Sequence, residues 1–155
     1  MADIALDSHD RRLLAALQAD ADATADQLAE RVGLSASAVL RRIKRLKAAK
    51  VITATVAVVA PAKLGKPTFF IVALEVERDR PELLARLRSW MSDEPRIQEY
   101  FYVTGTTDFI LVVVAKDVED YDALMSSLVT DNPNVRKFTT NVVLSSGKRS
   151  LALPL

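Results

Sequence analysis

The sequence predicts an α+β protein of two parts, a set of three short helices followed by a βαββαβ succession. Three observations carry that expectation. Capping-box spacings and a Gly-Leu-Ser break divide the first fifty residues into three amphipathic segments. Runs of β-branched and aromatic residues recur further on, with helically spaced leucines between them. Charge is also unevenly spread: residues 41–50 hold six cations and no acid.

Composition bounds the rest. The chain has 155 residues, 50% of them hydrophobic and 26% charged, a globular balance with material for one ordinary domain or two small ones. The formal charge is only +1, so no whole-chain field argues for nucleic acid. Residues 1–50 carry nine Lys/Arg against seven Asp/Glu, however, and the remainder twelve against thirteen, which concentrates the basic excess in one segment. Cysteine is absent, which excludes disulfides and thiolate metal sites and accords with a reducing compartment. No N-terminal stretch pairs a basic region with a long apolar run, and the apolar runs are too short to span a bilayer. The expectation is a soluble, cytoplasmic protein.

The first helix starts near Asp7, where Asp7 and Asp10 stand in capping-box spacing and place negative charge at a helix N-terminus. Leu13, Leu14 and Leu17 form its buried stripe. Asp20 and Asp22 interrupt the pattern and mark a turn. Thr24 and Gln27 make a second capping box, opening a short helix with Leu28, Ala29 and Val32 inward. Gly33 ends it, where a positive φ is wanted. Ser35 caps the third helix. There Val39, Ile43 and Leu46 recur on one side, while Ser37, Arg41, Lys44 and Arg45 fall on the opposite side and Arg42 lies at the border. Helix, short helix, Gly-containing turn and basic helix make a helix-turn-helix, whose third helix is the one suited to the major groove. The expected DNA-contacting residues are Ser35, Ser37, Arg41, Arg42, Lys44 and Arg45. Fifty residues bury little surface on their own, so this module calls for a neighbour or a dimer partner.

Residues 51–60, VITATVAVVA, read as a strand stopped by Pro61 and suited to pairing across a dimer, with the following residues to 66 as connector. The expected organisation is a helix-turn-helix domain over 1–50, a strand and linker over 51–66, and a second domain over 67–155. In that domain, strands are expected at 68–76, 97–103, 109–115 and 135–144, and helices at 81–92 and 117–130. The helix over 81–92 opens on Pro81 and turns Leu83, Leu84, Leu87 and Trp90 inward; that over 117–130 buries Tyr121, Leu124, Met125 and Leu128. The strand over 109–115 is apolar throughout and therefore central. In the strand at 97–103, Ile97, Glu99, Phe101 and Val103 alternate with Gln98, Tyr100 and Tyr102. The order β-α-β-β-α-β is the ferredoxin-like arrangement, with two helices on one face and an open, apolar face that favours homodimerisation.

These residues resemble the Lrp/AsnC, or feast/famine, family of transcriptional regulators. The matching pieces are Leu6-Asp7-x-x-Asp10, the run Gln27-Leu28-Ala29-x-x-Val32-Gly33-Leu34-Ser35, Arg41-Arg42-Ile43-x-x-Leu46 and Val51-Ile52. Val103-Thr104-Gly105-x-x-Asp108-Phe109, Thr139-Thr140, Lys148 and the ending Leu153-Pro154-Leu155 complete the match, which spans the chain in order. The resemblance implies a winged-helix-like DNA-binding domain joined to a ligand-binding and dimerisation domain. It also implies a homodimer, often assembled into octamers, on palindromic double-stranded DNA, with no cofactor but a small-molecule effector, usually an amino acid. Carried over, the effector-binding residues are Tyr102, Thr104, Gly105 and Asp108 of the hairpin, and Thr140, Asn141 and Val142 of the last strand. A glycine admits close backbone approach and a carboxylate can pair with an α-amino group, although Gly105 and Asp108 equally suit a turn and its cap.

The chain departs from the family at three places. Ala21-Asp22 stands where relatives carry Gly-Arg, Lys50 stands where glycine usually follows the third helix, and Ala36 and Ala38 replace prolines. Two other functions fit the scaffold: a DNA-organising protein without effector, and an enzyme resembling siroheme decarboxylases. The second needs histidines around a tetrapyrrole, and the single histidine here, His9, sits in the first helical turn. With no nucleophile–base set and no phosphate-cradling glycine loop, an enzyme is not expected.

Overall fold

The computed structural model describes residues 4–155. They form two compact units. One runs through the N-terminal helices to Val58 and takes back Lys148–Leu155; the other is Val59–Gly147.

The first unit holds α1 (Ser8–Ala19), α2 (Ala25–Val32) and α3 (Ala36–Ala48). Each begins at an expected cap. Asp7 Oδ1 accepts from the Asp10 N–H at 2.7 Å and Asp10 Oδ2 accepts from the Asp7 N–H at 3.1 Å, a reciprocal box that satisfies two otherwise orphaned donors. Thr24 and Gln27 repeat it on α2. Gly33 ends α2 with φ 69°, and Ser35 Oγ accepts from the Ala38 N–H at the start of α3. The core gathers Leu13, Leu14, Leu28, Ala29, Val32, Val39 and Leu46, with Ile43, Val51 and Ile52 packed against it. Lys50 has φ 58°, the left-handed conformation in which a glycine would be unstrained. The returning C-terminal segment is held on α1 by Gln18, whose Oε1 accepts from the Leu153 N–H at 2.7 Å and whose Nε2 donates to the Leu153 carbonyl at 3.0 Å.

The strand expected over 51–60 is not formed. The N–H groups of Val51 and Ile52 bond back to the Leu46 carbonyl, and residues 53–60 are exposed, with no ladder to any described strand. A strand is stabilised by its neighbour, and this segment has none among the described residues.

The second unit is a four-stranded antiparallel sheet in the order β2-β3-β1-β4, from β1 (Thr68–Val76), β2 (Ile97–Tyr102), β3 (Phe109–Ala115) and β4 (Val135–Val142). The helices α4 (Pro81–Asp93) and α5 (Val118–Asp131) connect β1 to β2 and β3 to β4. Strand β3 is central, as its unbroken apolar run requires. Phe70, Val72 and Leu74 of β1 and Phe109, Leu111 and Val113 of β3 are buried with Leu84, Leu87 and Met91 of α4 and Leu124 and Leu128 of α5. The opposite face carries Ile71, Ile110 and Val112, which stay half-buried, and Phe101, which is exposed. One side assignment changes. The β2 register shifts between Ile97 and Glu99, so Ile97 pairs with Val113 and is buried, whereas Glu99 pairs with Val112 on the open face. An extra residue in one strand inverts the alternation beyond it, and a simple period of two misses this.

Candidate nucleic-acid interface and effector region

The third helix is anchored by its apolar seam, Val39 and Leu46 being fully buried and Ile43 partly so. That anchoring fixes which side faces out. Ser35, Ser37, Arg41, Lys44 and Arg45 are exposed, and Arg42 is half-buried. The six expected contact residues therefore stand on one helix, but they are not equivalent. Asp10 of α1 is completely buried and receives two cations of α3: Arg42 Nη1 donates to its Oδ1 at 2.7 Å and Arg45 Nη2 to its Oδ2 at 2.5 Å. Arg42 also reaches Asp7 at 2.8 Å. Among the described residues, Arg41 and Lys44 have no ion-pair or hydrogen-bond partner on their side chains.

The electrostatics follow from this geometry. Burial pushes the Asp10 carboxyl up, but hydrogen bonds from Arg42, the Asp7 N–H and Arg45 outweigh it, and the net shift is downward. The Asp10 N–H, followed by Arg42, holds Asp7 at about 2, below its ordinary 3.8. Arg42 is raised in turn, first by its hydrogen bonds to Asp7 and Asp10. Two of the five cations of α3, Arg42 and Arg45, thus tie it to α1, while Arg41, Lys44 and Lys47 make no ion pair among the described residues. This clamp was not anticipated, though it left a trace: Asp10 continues the spacing of Leu13, Leu14 and Leu17, and an acid on a buried stripe calls for a paired cation. His9 is part of the same unit, its Nδ1 lying 2.9 Å from Arg12 and 3.2 Å from the Val32 carbonyl.

In the second unit, the expected effector residues fall into two groups. The hairpin after β2 supplies the first. Gly105 has φ 127°, which demands glycine. Asp108 pins the hairpin to the end of β1: its Oδ2 accepts from the Val76 N–H at 2.8 Å, and its own N–H donates to the Leu74 carbonyl at 2.9 Å. Thr107, not singled out from sequence, adds a hydroxyl bond to the same Leu74 carbonyl at 2.7 Å. Tyr102 stacks obliquely on Phe109 with the Arg88 guanidinium 5.0 Å over its ring, and Thr104 is exposed. The second group lies on β4. Thr140 shares a 2.5 Å hydrogen bond with the Tyr121 hydroxyl, whose ring stacks on Phe70 at 3.9 Å. Val142 pairs with Phe70 on that same helix-covered side, while Asn141 lies opposite Ile71 on the open face.

Strands β2 and β4 are opposite edges of the sheet, with β3 and β1 between them. At about 4.8 Å per strand spacing, Tyr102 on β2 stands about 14 Å from β4 across the sheet, whereas Asp108 at the start of β3 is bonded to β1, the strand beside β4. One chain does not bring the two groups together. Among the described residues, no cluster of three or more His, Cys, Asp or Glu could hold a metal ion, and no helix is long and apolar enough to cross a membrane.

A capped three-helix unit with an outward basic helix, followed by a βαββαβ sheet, defines a helix-turn-helix regulator carrying a ligand-binding type of domain. The chain belongs to the Lrp/AsnC family of transcriptional regulators: residues 70–153 match the Lrp/AsnC ligand binding domain, and residues 6–53 match a winged helix-turn-helix DNA-binding domain. It is 38% identical over 150 residues, covering 97% of this chain and 89% of the other, to an uncharacterised HTH-type transcriptional regulator of Sinorhizobium fredii. Its fold is similar to that of an AsnC family transcriptional regulator from Agrobacterium tumefaciens, with a TM-score of 0.87 at 28% identity over 96% and 97% of the two chains. It is equally similar to a transcriptional regulator of Neisseria meningitidis in complex with L-Met, with a TM-score of 0.86 at 25% identity over 97% of each.

Proposed function

We propose that the protein is a cytoplasmic, sequence-specific regulator that grips palindromic DNA through paired α3 helices and whose binding is modulated by an amino acid. The observation that carries the reading is the outward stripe of α3, where Arg41 and Lys44 stand exposed and without partners beside Ser35 and Ser37. Arg45, roughly half-exposed, can still turn one edge of its guanidinium to a phosphate, whereas Arg42 acts as a positioning residue through Asp7 and Asp10. The amino-acid class is supported by the family and by the L-Met complex of the Neisseria relative.

The effector site we propose is shared between copies of the chain, with the hairpin of one facing the β4 edge of another. This accommodates all seven expected residues, which a single sheet holds apart. A homodimer joined through the open apolar face, assembled further into an octamer, supplies such neighbours. Fluorescence anisotropy on a duplex selected from a random pool by the protein, at fixed salt and with each L-amino acid in turn, tests the reading. One amino acid should shift the binding midpoint and also raise the melting temperature of the free protein. Equal affinity for unrelated duplexes, indifferent to all twenty, would instead indicate a DNA-organising protein without effector.

A further inference from the structure

The outward side of α3 contains one residue that neither the cationic grip nor the core explains. Leu40 is 58% exposed and lies outside the apolar cluster of its unit. It is not randomly placed. Ser37, Leu40, Arg41 and Lys44 are spaced i, i+3, i+4 and i+7, so they form one stripe along the helix. Arg42 and Arg45 flank that stripe but are drawn toward Asp10, which leaves Leu40 and Arg41 side by side at its centre. Both lie in the first half of α3, the part of a recognition helix that meets base edges.

Thymine alone carries a methyl group, at C5, on a major-groove edge that otherwise presents mainly hydrogen-bond donors and acceptors. A leucine among serine and basic side chains has that methyl as its natural partner, since contact with it removes apolar surface from water on both sides. We infer that Leu40 is a specificity-determining residue that packs on a thymine methyl adjacent to the base or phosphate held by Arg41. The inference rests on the DNA-binding reading above and deepens it. The site therefore contains a thymine at a fixed position in each half, and its recognition depends on the methyl group rather than on base pairing.

The test uses the full-length protein and the duplex it selects from a random pool. Each thymine is replaced singly by deoxyuridine, which removes only the methyl, and affinities are read by anisotropy at fixed salt. Wild-type binding should fall about fourfold at one thymine per half-site, the worth of one buried methyl-sized group. Leu40→Ala should bind the parent duplex more weakly and lose that dependence, binding the thymine and deoxyuridine duplexes alike. Arg41→Ala should bind more weakly yet still discriminate the two. A wild type indifferent to every deoxyuridine, or a Leu40→Ala variant that retains the fourfold difference, overturns the inference and leaves the DNA-binding reading standing. A wild type that selects no sequence at all overturns both.

Discussion

The outward face of α3 and the expected effector region differ in how completely one chain builds them. The first is carried on thirteen consecutive residues, and an internal apolar seam and an ion clamp on α1 set its orientation. The second is divided between two edges of a sheet, and several of its members already have intramolecular work. Asp108 holds the hairpin to β1, and Thr140 is bonded to Tyr121. The outward face of α3 is thus self-contained, whereas the effector site we propose would depend on assembly. In that proposal, a binding event between copies alters how paired α3 helices are presented.

The contrast within α3 is the easiest to break. Asp10→Asn removes the buried charge on which Arg42 and Arg45 converge; about 2 kcal/mol of stability should be lost, less than for a fully buried pair because Arg45 is partly solvated. Urea denaturation at neutral pH measures it. Arg41→Ala should lower affinity for the selected duplex by about tenfold without changing the melting curve. Arg42→Ala should instead lower the melting temperature. Equal effects of the two on affinity alone would erase the distinction between gripping and positioning cations.

Acid sharpens the same point. Both Asp7 and Asp10 have pKa values lowered by folding, so their contribution is full above the ordinary carboxylate range and is lost as pH falls, for Asp7 through about 2. A protonated Asp10 resembles asparagine, and the stability gap between wild type and Asp10→Asn should therefore narrow as pH falls below the ordinary carboxylate range. The smallest effect expected is a gain: Lys50→Gly relieves a left-handed lysine and should stabilise the protein by about 1 kcal/mol in the same denaturation assay.

Most of the elements were legible because each was announced locally. Thr24 and Gln27, Ser35, Pro81 and the leucine spacings mark starts and faces within a few residues. What escaped depends on contacts distant in sequence. Nothing near Gln18 indicates that it holds Leu153, 135 positions later. The β-branched run at 51–60 has strand composition, but pairing requires a neighbour that the described residues do not supply. The bulge at Gln98 moved Ile97 to the helix side because register is set by the whole ladder. The expected contact residues of α3 are legible as a set in the sequence, and the pairing of Arg42 and Arg45 with Asp10 becomes visible only once α1 is placed against them.

Sharing of the effector site between chains is tested most directly by complementation. Asp108→Asn keeps an oxygen to accept the Val76 N–H but removes the charge available to an α-amino group; Asn141→Ala alters only the β4 side. Each variant alone should bind the selected duplex yet fail to respond to the effector amino acid. Mixed assemblies, formed by co-expression, should recover a fraction of the response, because some sites then pair an intact hairpin with an intact edge. A mixture as unresponsive as its components, or either variant responding with the wild-type midpoint, would contradict a site built between two chains.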